Sequence, residues 1–266
     1  MRLKLIACEI FCRECCAAVA ASPNTVSLEF LPKGLHDIGA ELMRARLQER
    51  IDAASAGDYE AIALAYGLCN NGIAGLTARA LPLIVPRAHD CITMFMGSRR
   101  RYREYFDANP GTYFHTSGWI EHGGTAGELQ QLSIQQRVGL GRRREEWIAE
   151  YGEDNAEYLM EMLGNTTRGY SKFCFIEMGV EPDDRFERIS RRRAEEKGWI
   201  FEKIRGDMSL LRDLVDGRWD DDRFLRVMPG GRIAARYDEG VIAAEPGPPP
   251  PARGTPTNGE KACDIG

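Results

Sequence analysis

The chain has 266 residues, of which 43% are hydrophobic and 28% are charged, and its formal net charge is −5. These values are typical of a globular protein with a full core, and the acidic balance excludes a global field that attracts nucleic acid or an anionic membrane. No apolar run approaches the roughly 20 residues that span a bilayer, and charges interrupt the N-terminal apolar stretch before it matches a signal peptide. We therefore expect a cytoplasmic protein that binds neither nucleic acid nor a membrane.

The first half of the chain alternates short apolar stretches, typical of buried strands, with amphipathic stretches, typical of helices. Met43, Leu47 and Ile51, for example, recur at helical spacing, and Asp90 stands where a helix N-cap belongs. In chain order the sequence predicts a strand at Leu3–Cys8, a helix at Glu14–Ala21, a strand at Thr25–Leu31, a helix at about Ala40–Ala56, a strand at Ala61–Cys69 followed by a turn and a short helix, a strand within Leu81–Cys91 and a helix at Ile92–Phe106.

The second half continues this alternation, with a long charged segment in its middle. That segment, about Glu128–Leu163, is predicted to be helical with a break near Gly152. The other predicted elements are a strand at Gly111–Trp119, a strand at Ser171–Gly179, a helix at Asp183–Lys197, a strand at Trp199–Asp207, a helix at Met208–Asp216 and two short apolar stretches at Phe224–Met228 and Val241–Glu245.

Strands that alternate with helices predict a largely parallel sheet with helices on both faces. The predicted fold class is therefore α/β, with a doubly wound, mostly parallel sheet of the Rossmann-like or flavodoxin-like kind. Residues 1–244 would form a single large domain. Residues 245–266 are rich in proline and polar residues, cannot bury a core, and are predicted to be a disordered tail.

Reactive side chains recur where the predicted strands end, which is where doubly wound sheets bind ligands. Cys8 ends the first strand and Cys69 ends the third, and His36 and Asp37 lie in the loop after the second. After the fourth and fifth strands come His89, Asp90, Cys91 and His115. Because the carboxyl ends of parallel strands share one edge of a sheet, we expect these side chains to lie close together.

The eight cysteines are too sparse for a disulfide scaffold in a chain of this length, so each is expected to be a thiol. Cys69 and Cys91 both precede predicted helices, whose N-termini favour the thiolate that ligates metals or attacks as a nucleophile. The alternative interpretation is that these thiols are buried and purely structural. Roles remain open for Cys12, Cys15, Cys16, Cys174 and Cys263; the first three fit a helix face packed on the sheet.

The turn Gly67–Gly72 offers a second kind of site. Backbone amides near Asn70 and Gly72 could bind an anion, as glycine-rich turns between a strand and a helix do. The sequence has neither a GxGxxG fingerprint nor a GxxxxGK[ST] loop, so a nucleotide cofactor is not predicted.

Three segments carry a resemblance to a known family: YGLCNNG (Tyr66–Gly72), PRAHDCITMFMGSRRRYREYF (Pro86–Phe106) and PGTYFHTSGWIE (Pro110–Glu121). They resemble the hallmark blocks of domain of unknown function 1638, a bacterial and archaeal family, and the resemblance covers most of the chain up to about Gly240. Members of that family are often associated with corrinoid-dependent methyl-transfer systems. The resemblance thus implies one-carbon metabolism by association, and it supports the choice of site residues without supplying a reaction.

The leading hypothesis is a metal-dependent enzyme. Cys8, Cys69 and Cys91, with His89 as fourth or alternate ligand, would hold zinc, iron or an iron–sulfur centre, and Asp90 or His115 would orient a ligand or act as acid or base. An open coordination position would serve methyl-group or one-carbon transfer to a small-molecule substrate, with a corrinoid as a further candidate cofactor and a corrinoid protein or methyltransferase as partner.

Two alternatives come from other classes. The protein could be a non-catalytic accessory that holds a corrinoid, a metal or an iron–sulfur centre for a partner enzyme. It could also be a metal-free cysteine enzyme in which Cys91 is the nucleophile and His89 or His115 the base. Metal content separates the last hypothesis from the first two, and turnover with a methyl donor separates those two from each other.

Overall fold

A computed structural model of the chain describes residues 1–124, 127–137, 143–164 and 169–247. The strands are β1 (Arg2–Cys8), β2 (Thr25–Leu31), β3 (Ala61–Ala65), β4 (Leu83–Pro86), β5 (Thr112–His115), β6 (Lys172–Glu177), β7 (Ile200–Arg205), β8 (Phe224–Val227), β9 (Gly231–Ala235) and β10 (Ile242–Pro246). The helices are α1 (Cys12–Ala21), α2 (Ala40–Ala54), α3 (Cys91–Met96), α4 (Arg99–Ala108), α5 (Ser117–Glu121), α6 (Gly127–Leu132), α7 (Ile134–Arg137), α8 (Arg144–Tyr151), α9 (Glu153–Gly164), α10 (Arg185–Lys197) and α11 (Ser209–Asp216). Short 3-10 helices occupy Glu9–Phe11 and Lys33–His36.

The central sheet has five strands in the order β2-β1-β3-β4-β8, and all neighbours except β4 and β8 are parallel. Every residue of β3 and of β4 is buried. Successive residues of a strand point to opposite faces, so both faces of the sheet are covered at its centre. This burial explains why the two strands read as continuous apolar runs. The mixed α/β class and the mostly parallel central sheet are thereby confirmed.

The later parallel strands do not extend this sheet, which corrects the expectation of a single one. Strands β5, β6 and β7 form a separate, parallel three-stranded sheet, and β9 and β10 form an antiparallel pair. The physical reason lies at the edge of the central sheet. Strand β8 pairs antiparallel with β4 and uses the backbone groups to which a further parallel strand would have bonded.

The helix predicted over Ile92–Phe106 is divided into α3 and α4. Gly97 adopts a left-handed conformation, with a φ of 72°, and ends α3. The N-cap prediction is confirmed, because an Asp90 carboxylate oxygen accepts the Thr93 backbone N–H at 2.9 Å. The break predicted near Gly152 is also confirmed, since this residue separates α8 from α9 with a φ of 77°.

The C-terminal boundary differs slightly from the prediction at residue 244. Strand β10 continues to Pro246, which pairs with Gly231 of β9, a strand that the sequence did not reveal. The predicted disordered tail beyond residue 247, together with Cys263, lies outside the described residues. Among the helices in the described ranges, none combines the length and the hydropathy needed to cross a membrane.

Candidate functional site

Three of the predicted ligands, Cys8, Cys69 and Cys91, meet at the carboxyl ends of the neighbouring strands β1, β3 and β4. We call these residues the thiol cluster. The two loops that carry Cys69 and Cys91 run side by side, since the Cys69 N–H donates to the His89 carbonyl at 2.9 Å. The charges of Cys8 and Cys69 both act on Cys91, so the three sulfur atoms lie within electrostatic range of one another.

Burial keeps the thiol cluster protonated in the metal-free protein. Desolvation raises the pKa of Cys8 to about 12 and raises the pKa of Cys69 and of Cys91 as well. Backbone groups of Ile10 at Cys8, and of Gly67 and Cys91 at Cys69, oppose this shift, but they do not overcome it. Burial thus outweighs any stabilisation of a thiolate at Cys91 by the N-terminus of α3, and among the described residues no helix follows Cys69 directly.

Cys69 begins an unusual left-handed turn. Cys69, Asn70 and Asn71 have φ values of 45°, 55° and 66°, and the Gly72 N–H closes the turn on the Cys69 carbonyl at 3.1 Å. Residues other than glycine rarely adopt this conformation, and strained backbone of this kind concentrates at functional sites. Because the Gly72 amide is already bonded inside the turn, it is not available for the predicted anion site, whereas Asn70 lies exposed at the turn.

His89 contributes its backbone but not its side chain to the thiol cluster. Its imidazole is exposed and lines a cavity with Asp107 and Glu239, where its charge lowers the pKa of Glu239 after the larger effects of Arg103 and Arg99. The structure therefore does not place His89 as the fourth ligand. His89 and Cys91 are two residues apart in sequence, yet the His89 side chain is exposed and the Cys91 side chain is buried. Asp90 lies between them and caps α3, so the chain changes direction there.

Asp90 lies beside the thiol cluster and is fixed by its neighbours. One carboxylate oxygen caps α3, and the other accepts the Tyr102 hydroxyl at 3.0 Å. The carboxylate charge contributes to the raised pKa of Cys69 and of Cys91. Within the described ranges no lysine, arginine or histidine lies within 4.0 Å of this carboxylate, so its charge is not neutralised by an ion pair.

His115 lies in the second sheet, away from Asp90. Its Nδ1 is 3.0 Å from the Ser190 hydroxyl and its Nε2 is 3.5 Å from the Arg193 guanidinium. Burial and, to a smaller extent, Arg193 lower the pKa of His115 to about 4, so the imidazole is neutral at pH 7. It lines a polar cavity of about 720 Å³, whereas Asp90 lines other cavities, and the two predicted catalytic residues do not form a pair.

Buried polar atoms without partners surround the thiol cluster. Within the described residues, the Tyr66 hydroxyl and the His36 Nε2 have no hydrogen-bond partner, and their rings stack with centroids 6.1 Å apart. The indole N–H of Trp119 lies close enough to lower the pKa of Cys91, yet no acceptor meets hydrogen-bond geometry with it. Such groups are costly unless a ligand, an ion or water satisfies them.

Sequence reasoning missed Tyr66 and Cys15 as neighbours of the thiol cluster. Cys15 of α1 is 1% exposed and within electrostatic range of Cys8, and the charges of Cys8 and Cys69 both act on Tyr66. One signal was available. Tyr66 is a lone hydroxyl at the end of the wholly apolar run Ala61–Ala65, where a buried polar atom needs a reason.

A metal centre is not preformed in the described part of the chain. No group of three or more histidine, cysteine, aspartate and glutamate side chains is arranged there so that it could hold a metal ion. Three cysteines supply the sulfur ligands that soft and borderline metals prefer, but their geometry would have to adjust on binding. The three sulfur atoms are therefore suitable ligands by their chemistry, but the structure does not arrange them as a metal site.

The fold and this site define an α/β protein with a largely buried thiol site at the carboxyl ends of the parallel strands of a mostly parallel sheet. The chain belongs to the family described as protein of unknown function (DUF1638), which matches residues 30–215. The matched residues include Cys69, His89 and Cys91 but not Cys8, so the match is shorter than the resemblance suggested. Comparison with curated proteins and with solved structures found no match.

Proposed function

We propose that the chain is a metal-dependent enzyme whose thiol cluster binds a soft or borderline metal, zinc or iron, and transfers a methyl or other one-carbon group to or from a small molecule. One observation carries the proposal. Two buried thiols, Cys8 and Cys91, and the half-buried Cys69 lie beside buried polar atoms of Tyr66 and Trp119 that lack partners, and the His36 ring stacks on Tyr66. A ligand that hydrogen-bonds these atoms would recover about 1–3 kcal/mol for each of them.

The strand order supports a doubly wound arrangement with the site at its switch point. In flavodoxin-like sheets of order 2-1-3-4-5, ligands bind between the first and third strands, at their carboxyl ends. Strands β2-β1-β3-β4 have this order, and Cys8 and Cys69 follow β1 and β3. The sparse cysteines of the sequence do not form the pattern of a disulfide scaffold, and we expect a cytoplasmic location.

Each residue of the site would have a distinct role. Cys8, Cys69 and Cys91 would bind the metal, which supplies Lewis acidity and lowers the pKa of its sulfur ligands. The Tyr66 hydroxyl and the Trp119 indole would donate hydrogen bonds to the bound substrate. Asp90 would act as a positioning residue, because it caps α3 and so holds the start of the helix that carries Cys91.

The metal-free cysteine mechanism has less support. Neither predicted base reaches Cys91: the His89 imidazole lies at the surface, and both nitrogens of His115 contact other side chains. The accessory-protein alternative uses the same residues, with a corrinoid, a metal or an iron–sulfur centre held for a partner methyltransferase or corrinoid protein. Transfer of the methyl group of methylcobalamin to an added thiol such as 2-mercaptoethanol, which forms the methyl thioether and releases cob(I)alamin, would distinguish an enzyme from such an accessory. Visible absorption follows this reaction.

The first experiment is anaerobic purification followed by metal analysis and visible spectroscopy. We expect stoichiometric metal in the wild type and its loss in the Cys69→Ser and Cys91→Ser variants. Cys174→Ser is the control, because Cys174 is also a free thiol, is fully buried, and lies in β6 of the second sheet beside Tyr105. Wild-type protein that stays metal-free and colourless after reconstitution would refute the proposal, as would metal that is retained in both cluster variants.

A further inference from the structure

A second cavity, of about 540 Å³, opens beside the thiol cluster, with Cys91 and Asp90 in its wall. We call it the aromatic pocket, because most of its side chains are rings: Tyr102, Phe106, Tyr113, Phe114, Trp119 and Tyr170. Its volume is that of an ordinary small-molecule site. Cys91 is 9% exposed and so has a surface on this side, whereas Cys8 is only 1% exposed.

The rings of the aromatic pocket stand at steep angles to one another. Tyr113 and Tyr170 make an angle of 78° with centroids 5.4 Å apart. Tyr102 makes angles of 52° with Phe106 and 60° with Phe114. These are the tilted and edge-to-face contacts usual between neighbouring rings, and they group the rings into two sets along the cavity. Several of the rings also face solvent: Phe106, Tyr113 and Tyr170 are 48%, 36% and 38% exposed. Exposed rings gathered at one cavity indicate a binding site.

Among the residues that line the aromatic pocket, Asp90 carries the one formal charge. Arg99 and Arg103 share a neighbouring cavity with Asp90 but pair with Asp222 and Glu239. Asp90 brings a carboxylate to the rim of the aromatic pocket, and no cationic side chain in the described ranges forms an ion pair with it. Of the six rings, only Trp119 has a cation of the described chain over its face, namely Lys33 at 5.2 Å. Among the described residues, therefore, no cationic side chain lies over the other five rings or forms an ion pair with the Asp90 carboxylate.

We infer that the aromatic pocket binds a small organic cation of the quaternary ammonium type, whose charge is spread over apolar groups. Aromatic faces attract such cations through their quadrupoles, and a nearby carboxylate adds to the attraction. The bulk of a trialkylammonium group also buries apolar surface against the rings. A cation bound in this pocket would lie next to Cys91, and its role as the substrate rests on the proposed function. Binding of the cation to the pocket requires neither a metal nor turnover.

The test is titration calorimetry of the full-length, metal-free protein with choline and with its uncharged isostere 3,3-dimethylbutan-1-ol. We expect choline to bind at least tenfold more tightly, because only choline carries the charge. The Asp90→Asn variant should weaken choline binding about tenfold without unfolding the chain, since asparagine caps helices as well as aspartate does. Tyr170→Leu should weaken it severalfold. Glu239→Gln is the control, because Glu239 lines the neighbouring cavity but not this one.

The outcomes separate this inference from the proposed function. Equal binding of choline and the neutral isostere, or no binding of either, would overturn the cation site even if the protein proves to contain metal. Selective choline binding that depends on Asp90 and Tyr170, in a protein that never takes up metal, would support the site and refute the metal proposal. Equal losses in the Glu239→Gln and Asp90→Asn variants would reduce the effect to general surface charge and overturn the site.

Discussion

At the scale of single residues, the feature that matters most is the left-handed turn that begins at Cys69. An L-residue in this conformation costs roughly 1–2 kcal/mol, because its Cβ crowds the following carbonyl. Asparagine tolerates the strain best among residues other than glycine, and two asparagines follow Cys69. The turn redirects the chain directly after Cys69, whose own N–H is held by the His89 carbonyl at 2.9 Å.

Substitution of Asn70 tests the left-handed backbone with little effect on packing, since this side chain is exposed. The Asn70→Val variant should lower the free energy of unfolding by about 1–2 kcal/mol, because a β-branched residue is strongly disfavoured at a φ of 55°. The Asn70→Gly variant should stay within about 0.5 kcal/mol of wild type. Chemical denaturation measures both. Equal stability of the two variants would show that the turn is not left-handed in solution.

At the scale of elements, helix α5 decides where Trp119 lies. A Cβ at Gly118 would be 1.7 Å from the Ile10 carbonyl oxygen, so α5 packs on the 3-10 helix Glu9–Phe11 in direct backbone contact. Helix α5 is also bound to α1, because the Nε of Arg13 in α1 donates a hydrogen bond of 2.8 Å to a carboxylate oxygen of Glu121, the last residue of α5. This close packing places the indole of the next residue beside Cys91.

The Gly118→Ala variant should therefore be destabilised by about 1–3 kcal/mol, because its methyl group would push the backbone of α5 away from the backbone at Ile10. The same displacement should alter the fluorescence of Trp119. Gly124→Ala provides the control, since a Cβ there would meet no atom within 4 Å. Thermal unfolding with fluorescence detection distinguishes the two. A Gly118→Ala protein as stable as the control would mean that α5 does not pack on the 3-10 helix as described.

At the scale of the whole molecule, buried titratable groups make stability depend on pH in opposite directions. Burial raises the pKa of Glu14 to about 7, and neither of its carboxyl oxygens has a partner among the described residues. The stability that depends on protonated Glu14 is present below about pH 4.5 and is lost as pH rises toward 7. Burial lowers the pKa of His36 and of His115 to about 4, so their contribution is lost as pH falls from about 6.5 to 4.

The Glu14→Gln variant isolates the first effect. Relative to wild type, its free energy of unfolding should increase by about 3 kcal/mol between pH 4.5 and pH 7, since a shift of one pKa unit corresponds to about 1.4 kcal/mol. Denaturation curves at several pH values measure this difference. A difference that does not change with pH would show that Glu14 is ionised in the folded protein, and with it that the carboxyl group has a partner or access to water.

Much of the fold follows from local pattern. The bounds of β2 and the N-cap at Asp90 were predictable because they depend on the periodicity and the short-range hydrogen bonds of a few neighbouring residues. The meeting of Cys8, Cys69 and Cys91 was predictable too, since parallel strands bring their carboxyl ends to one edge. The direction of the His89 side chain was not, because a single residue, Asp90, turns the chain between it and Cys91.

By itself the sequence determined the alternation of strands and helices, the family and the identity of the clustered thiols, since these depend on composition, on periodicity and on the order of residues along the chain. Only the tertiary structure decided that β5–β7 form their own sheet, that His115 lies apart from Asp90, and that Tyr66 and Cys15 lie beside the thiol cluster. The physical reason is the same in each case. Edge pairing by β8 and burial of polar groups arise from contacts between segments far apart in the chain, and such contacts leave no periodic signal in the local sequence.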